Sequence, residues 1–128
     1  MNALCVLIFM ILCHIIDDFV LQGWLASAKQ ENWWKKQEGY NDLYKNDYKM
    51  ALFIHSLEWS IMIHLPIIVF YNSQVTIVIL ISILGNCCLH YLIDDLKANL
   101  KVFNLIIDQI FHIIQVILFW AIFCIVLI

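Results

Sequence analysis

ALCVLIFMILCHIIDDFVL, residues Ala3 to Leu21, is an apolar run of the length a helix needs to cross a bilayer, and it ends in one histidine and two acids. His14 and Asp18 stand four residues apart, close to one helical turn. Both fall on one face, about 6 Å apart along the axis. Ionisable side chains inside an apolar helix are costly and usually mark a functional interior.

Working outward, three more runs have spanning length, roughly 50–71, 74–93 and 102–128. Two of them repeat the device, as His90-x-x-x-Asp94 and Asp108-x-x-x-His112. The whole chain is 64% hydrophobic and 13% charged, with one proline and three glycines. Soluble domains carry about 25% charged residues. The expectation is an all-α, polytopic membrane protein: one four-helix transmembrane domain over residues 1–128, with spans at about 3–21, 50–71, 74–93 and 102–128. The first run has no basic segment before it and no A-x-A-like cleavage site, so it reads as a retained helix.

All seven lysines lie in two places, Lys29 to Lys49 and Lys97 with Lys101. Four spans put both places on one side, which the positive-inside rule makes cytoplasmic. Both termini and the short turn at Tyr71 to Gln74 then face outward, in an inner (cytoplasmic) membrane. The net charge of −3 argues nothing about nucleic acid, and no basic patch with interleaved aromatics calls for such a partner, so none is expected. Membrane lipid is the expected partner, and a homo-oligomer along the lipid-facing Ile and Val surfaces stays open.

The long connection, 22–49, mixes Trp24, Trp33, Trp34, Tyr40, Tyr44 and Tyr48 with lysines and acids. Aromatics beside lysine suit the headgroup zone, so an interfacial helix is expected around Trp24–Gln37. Plain anchoring explains it; so does a lid or lipid-headgroup platform over the site.

The orientation brings distant residues to one depth. His14 and Asp18 end helix one, His55 begins helix two, His90 and Asp94 end helix three, and Asp108 and His112 begin helix four. Six of these seven lie within about 10 Å of the same face at 1.5 Å per residue. Histidine nitrogen and carboxylate oxygen are ligands for zinc, manganese or iron, and bundles build such sites from pairs one turn apart. Seven ligands suffice for one divalent ion or for two. Hydrogen bonding between helices is the plainer account.

Other polar residues take lesser roles. Glu58, one turn past His55, is a candidate general base or a support for the ligands. Gln22 and Gln109 are placed to contact substrate. Lys97 stands one turn beyond Asp94, where it clamps a phosphate or snorkels. Asp17 and Asp95 point about 100° from their neighbours and read as solvated or lysine-paired. His64, with no acid one turn away, reads as a packed or pore-facing histidine. The five cysteines show no C-x-x-C spacing and read as free thiols.

The ordered set His14-x-x-x-Asp18-Phe19-Val20-Leu21-Gln22, His55, His90-x-x-x-Asp94-x-x-Lys97 and Asp108-Gln109-x-x-His112 resembles a phage and bacterial membrane-protein family catalogued as a domain of unknown function. The likeness covers nearly the whole chain. More loosely, it is similar to SOS-regulated inner-membrane proteins labelled metal-dependent hydrolases, and that resemblance implies a metal-dependent hydrolase here.

The combined expectation is hydrolysis of a lipid-linked or headgroup (phospho)ester at the cytoplasmic leaflet. His14, Asp18, His55, His90, Asp94, Asp108 and His112 are the expected ligands, and Asp94, Asp18 and Glu58 carry the chemistry. A divalent-cation or proton transporter or channel using the same cluster is the alternative. A small phage-type pore-forming or host-interaction protein is a third, which leaves the three acid–histidine pairs unexplained.

Overall fold

The computed structural model describes residues 2–71 and 76–126. Residues 72–74 of the turn expected at Tyr71 to Gln74 and the outermost ends of the third and fourth expected spans therefore lie outside the described residues. The described chain is all helical. Helix α1 (Ala3–Ile16) runs into a π-turn at Asp17–Leu21; two short helices follow, α2 (Leu25–Ala28) and α3 (Glu31–Trp34), then a 3-10 turn at Asp42–Tyr44. The long helices α4 (Asp47–Phe70), α5 (Ile77–Ala98) and α6 (Leu105–Ala121) complete it, α6 ending in a second π-turn, Ile122–Val126. Four segments are long and apolar enough to span a membrane: Ala3–Leu21, Asp42–Phe70, Ile77–Ala98 and Leu105–Val126.

Local signals set the helix starts. The side chains of Asn2, Thr76 and Asn104 accept from the backbone N–H groups of Cys5, Ile79 and Ile107, which meets part of each helix's unpaired first turn. Helix α5 runs past Ile93 through Asp94 and Lys97, because nothing breaks it before Asn99. Pro66 removes one donor inside α4, yet the helix stays continuous.

The long helices form a ring in which α1 touches α4, α4 touches α5, α5 touches α6, and α6 returns to α1. One half of its interior is apolar: Val6, Met10, Trp59, Ile63, Ile67, Ile79, Ile83, Val116, Phe119 and Phe123 form one cluster. The other half buries His14, His55, His90, Asp94, Asp108 and His112, while Ile8, Leu12, Ile81, Leu84, Ile110 and Ile114 face outward. Polar inside and aliphatic outside suits lipid, since water-soluble monomers rarely expose such continuous apolar surface.

The expected interfacial helix is realised as two pieces, α2 and α3, separated by an extended Gln30 (φ −102°, ψ 120°). Asn99 replaces the helical hydrogen bonds lost at this break. Its Nδ2 donates to the Lys29 carbonyl at 3.2 Å, and its Oδ1 accepts from the Glu31 N–H at 2.8 Å. The break lets Lys29 turn into the bundle.

Candidate metal centre

Four elements deliver the cluster: α1 with its π-turn brings His14 and Asp18, α4 brings His55, α5 brings His90 and Asp94, and α6 brings Asp108 and His112. The π-turn matters here. The Gln22 N–H reaches back five residues to the Asp17 carbonyl at 3.1 Å, and this wider turn changes the angular phase of Gln22, which follows the acids. Both acids turn inward, three and four residues after His14 and so near the same helical face. Asp18 keeps only 5% of its side chain exposed, and Asp17 is 1% exposed with no hydrogen-bond partner for either carboxylate oxygen. The expectation of a solvated or lysine-paired Asp17 is corrected: it weighed the angle to Asp18 and not the spacing of three from His14, which keeps Asp17 near the inward face.

Three imidazole Nε2 atoms and three carboxylates face one another. His55 Nε2 lies 3.3 Å from His90 Nε2, 3.4 Å from Asp94 Oδ2 and 3.6 Å from Asp18 Oδ1. His112 Nε2 lies 3.2 Å from Asp94 Oδ1 and 3.4 Å from Asp108 Oδ1, and His90 Nε2 is 3.7 Å from Asp94 Oδ1. Ligands about 2.1 Å from a tetrahedral ion sit about 3.4 Å from one another. The observed separations match that spacing. Asp18–His55–His90, His90–Asp94–His112 and Asp18–Asp108–His112 each have ligand atoms close enough together to hold an ion.

The second oxygens strengthen the fit. Asp94 Oδ2 accepts from Lys29 Nζ at 2.5 Å, Asp108 Oδ2 from Lys97 Nζ at 2.6 Å, and Asp18 Oδ2 from Gln109 Nε2 at 2.7 Å. The inward Asp94 Oδ1, Asp108 Oδ1 and His112 Nε2 have no hydrogen-bond partner. Buried polar atoms are rarely left so. A cation among them would satisfy all three, with outer donors fixing each carboxylate as metal sites require.

The family model described as "Protein of unknown function (DUF3307)" matches residues 6–127. The chain belongs to this family. No curated protein and no solved structure matches it.

In this DUF3307 chain the rings are also held from behind. His112 Nδ1 donates to Gln115 Oε1 at 3.4 Å, Gln115 Nε2 to Asn86 Oδ1 at 2.9 Å, and Asn86 Nδ2 to Ser60 Oγ at 3.2 Å. With its proton on Nδ1, His112 presents the Nε2 lone pair to the cluster. Trp59 is fully buried and stacks on His90 (4.1 Å between centroids), which stacks in turn on His112 (4.3 Å).

The expected ligands divide. Asp18, His55, His90, Asp94, Asp108 and His112 meet in one cluster. His14 is buried beside it, but its Nδ1 accepts the Trp59 indole N–H at 3.0 Å. Indole only donates, so as a neutral ring His14 carries its proton on Nε2 and offers a donor.

Among the expected substrate contacts, Gln22 Nε2 bridges Asp18 Oδ1 (2.8 Å) and His55 Nε2 (3.1 Å), while Gln109 and Lys97 hold the carboxylates as described. Glu58 is half-buried and makes no hydrogen bond or ion pair among the described residues. His64 is fully buried, bonded to the Ser60 carbonyl and the Ser82 hydroxyl at 2.7 Å each. Asp95 binds Asn99.

Sequence reasoning missed Lys29, Gln115 and Trp59. Gln115 sits one turn past His112 on the same face, a spacing that would have found it. Trp59 follows His55 by four and carried the same signal. Lys29 carried none, being one loop lysine among five.

Proposed function

We propose that this protein is an integral membrane metal-dependent hydrolase acting on a lipid-linked or headgroup (phospho)ester. The observation that carries the reading is the division of labour within Asp94 and Asp108, one oxygen tethered by lysine and the other turned, with no hydrogen-bond partner, toward the Nε2 atoms of His90 and His112. Asp18, His55, His90, Asp94, Asp108 and His112 would hold one or two divalent ions, zinc, manganese or iron. Such an ion supplies Lewis acidity toward a phosphoryl oxygen and acidifies water.

The chain's own groups do the rest. His14 donates from Nε2 beside the ligands. Gln22, lying between Asp18 and His55, shifts to bind substrate, and Gln109 and Lys97 offer further donors at the rim. Glu58, without a partner, accepts a proton. The looser likeness to SOS-regulated proteins labelled metal-dependent hydrolases points the same way. We place the lysine-bearing end on the cytoplasmic side of an inner membrane, following the positive-inside rule.

Elemental mass spectrometry on detergent-purified protein tests this first, comparing wild type with Asp94→Ala. One or two equivalents of metal in wild type, lost in the variant, justify a screen of lipid phosphoesters. No stoichiometric metal in wild type sinks the hydrolase reading.

One observation favours a second reading, transport of a divalent cation or protons. The bonded set His112, Gln115, Asn86 and Ser60, continued by His64 and Ser82, leads from the cluster deeper into the bundle. Ion or proton flux into protein-loaded vesicles, abolished by His64→Ala, would support it over hydrolysis.

A further inference from the structure

The centre is closed. His14, His55, His90, Asp94, Asp108 and His112 are each at most 1% exposed, so no substrate touches them as the chain stands. Toward the lysine-bearing end they are covered by Gln22 and by the segment carrying α2 and α3. Ala28 is fully buried there, and Lys29 reaches Asp94 from the break between the two short helices. The segment packs on α4, and few polar interactions tie it to the rest of the bundle. Asn99 clasps it across the break, and Lys29–Asp94 is its one ion pair to the expected ligands among the described residues; the Trp34 indole, donating to the Ala28 carbonyl at 2.6 Å, ties the segment to itself.

A glycine with left-handed backbone stands at each end of the segment, Gly23 (φ +48°) and Gly39 (φ +81°). That region is open to glycine at little steric cost and disfavoured for other residues, so both positions can change dihedral angles freely. Trp24, Trp33 and Trp34 pack edge to face, with centroids 5.1–6.1 Å apart, and stiffen what lies between. Stiff segment, permissive ends and one charged tether make a hinged cover.

We propose that residues 24–38 are a lid, hinged at Gly23 and Gly39 and latched by Lys29 on Asp94, that lifts to admit substrate to the centre. The proposal rests on the metal-centre reading in one respect: Asp94 offers an ion Oδ1, which faces His90 and His112, while Oδ2, 3.4 Å from His55 Nε2, takes its shortest contact from the Lys29 latch. Ion and latch use different oxygens, so ion binding leaves the lid docked. Substrate, which displaces Gln22, is what opens it.

Hydrogen-exchange mass spectrometry on the full chain in detergent tests this, with and without Zn²⁺. Exchange across 25–34 should rise roughly tenfold or more in Lys29→Met and in Asn99→Ala, and return near wild type in Lys29→Arg, as expected when a low-stability unit loses its tether. Added Zn²⁺ should leave the wild-type segment as protected as before. Wild-type protection in Lys29→Met overturns the latch, and faster exchange on Zn²⁺ addition overturns the split use of Asp94. Should Lys29→Met fail to fold, Asn99→Ala carries the test, because Asn99 touches no expected ligand; unchanged protection there overturns the lid. Failure to bind metal together with a lid loosened by Lys29→Met would sink the hydrolase reading and leave the latch standing.

Discussion

Gln115 shows how much one side chain controls here. It is the acceptor that places the His112 proton on Nδ1, and it is itself held by Asn86. Gln115→Leu should weaken ion binding about 10–100-fold, the usual loss when a ligand's outer partner is removed. Gln115→Glu, which keeps an acceptor, should restore most of it; a Zn²⁺ titration by calorimetry reads both. Equal loss in the two variants would mean that packing, not the tautomer, is at stake. Asp18, His90, Asp94, Asp108 and His112 of the cluster were legible as members of pairs one turn apart, because helical periodicity is a local property that sequence states directly, whereas His55 stood alone. Lys29 was not, since its partner Asp94 is brought to it by a loop path that no periodicity encodes. His14 was legible as a pair member, and its turn toward Trp59 depends on the α1–α4 contact.

At the scale of elements, the π-turn at Asp17–Leu21 is the departure with the largest effect. It inserts one residue into the helical ladder after the two inward acids and so sets Gln22 against Asp18 and His55. Deleting Val20, which is exposed, should let the turn close as ordinary α-helix. The deletion should move Gln22 off Asp18 and His55 and lower ion affinity while far-ultraviolet circular dichroism stays near wild type. Unchanged affinity would show that the turn is incidental. The four long helices were readable from apolar length, and the ends of α5 and α6 differed from expectation by a few residues. Charged residues near the end of α5 pass as loop by hydropathy, yet Asp94 to Ala98 contain no helix breaker. The single interfacial helix became two because Asn99, far away in sequence, supplies hydrogen bonds that make a break affordable.

At the scale of the whole molecule, three helices and a π-turn meet around the cluster, so an ion bound there would tie the ring together. Zn²⁺ at about 100 times its dissociation constant should add about 2.7 kcal/mol to stability, read as a higher melting temperature. Asp94→Ala should abolish that increment, and a persisting increment would place the ion elsewhere. The closed ring also separates two unlike halves. Beyond His64 and Ser82 the interior is filled by Val6, Ile67, Ile79 and Phe123, with no buried charge among them. In an energised membrane, voltage falls across the layer that polar groups and water do not enter, and a charge feels about 2.3 kcal/mol per 100 mV only for the part it crosses. An ion entering from the lysine-bearing end crosses little of that layer. Its occupancy should follow the metal concentration on that side and be nearly blind to the membrane potential.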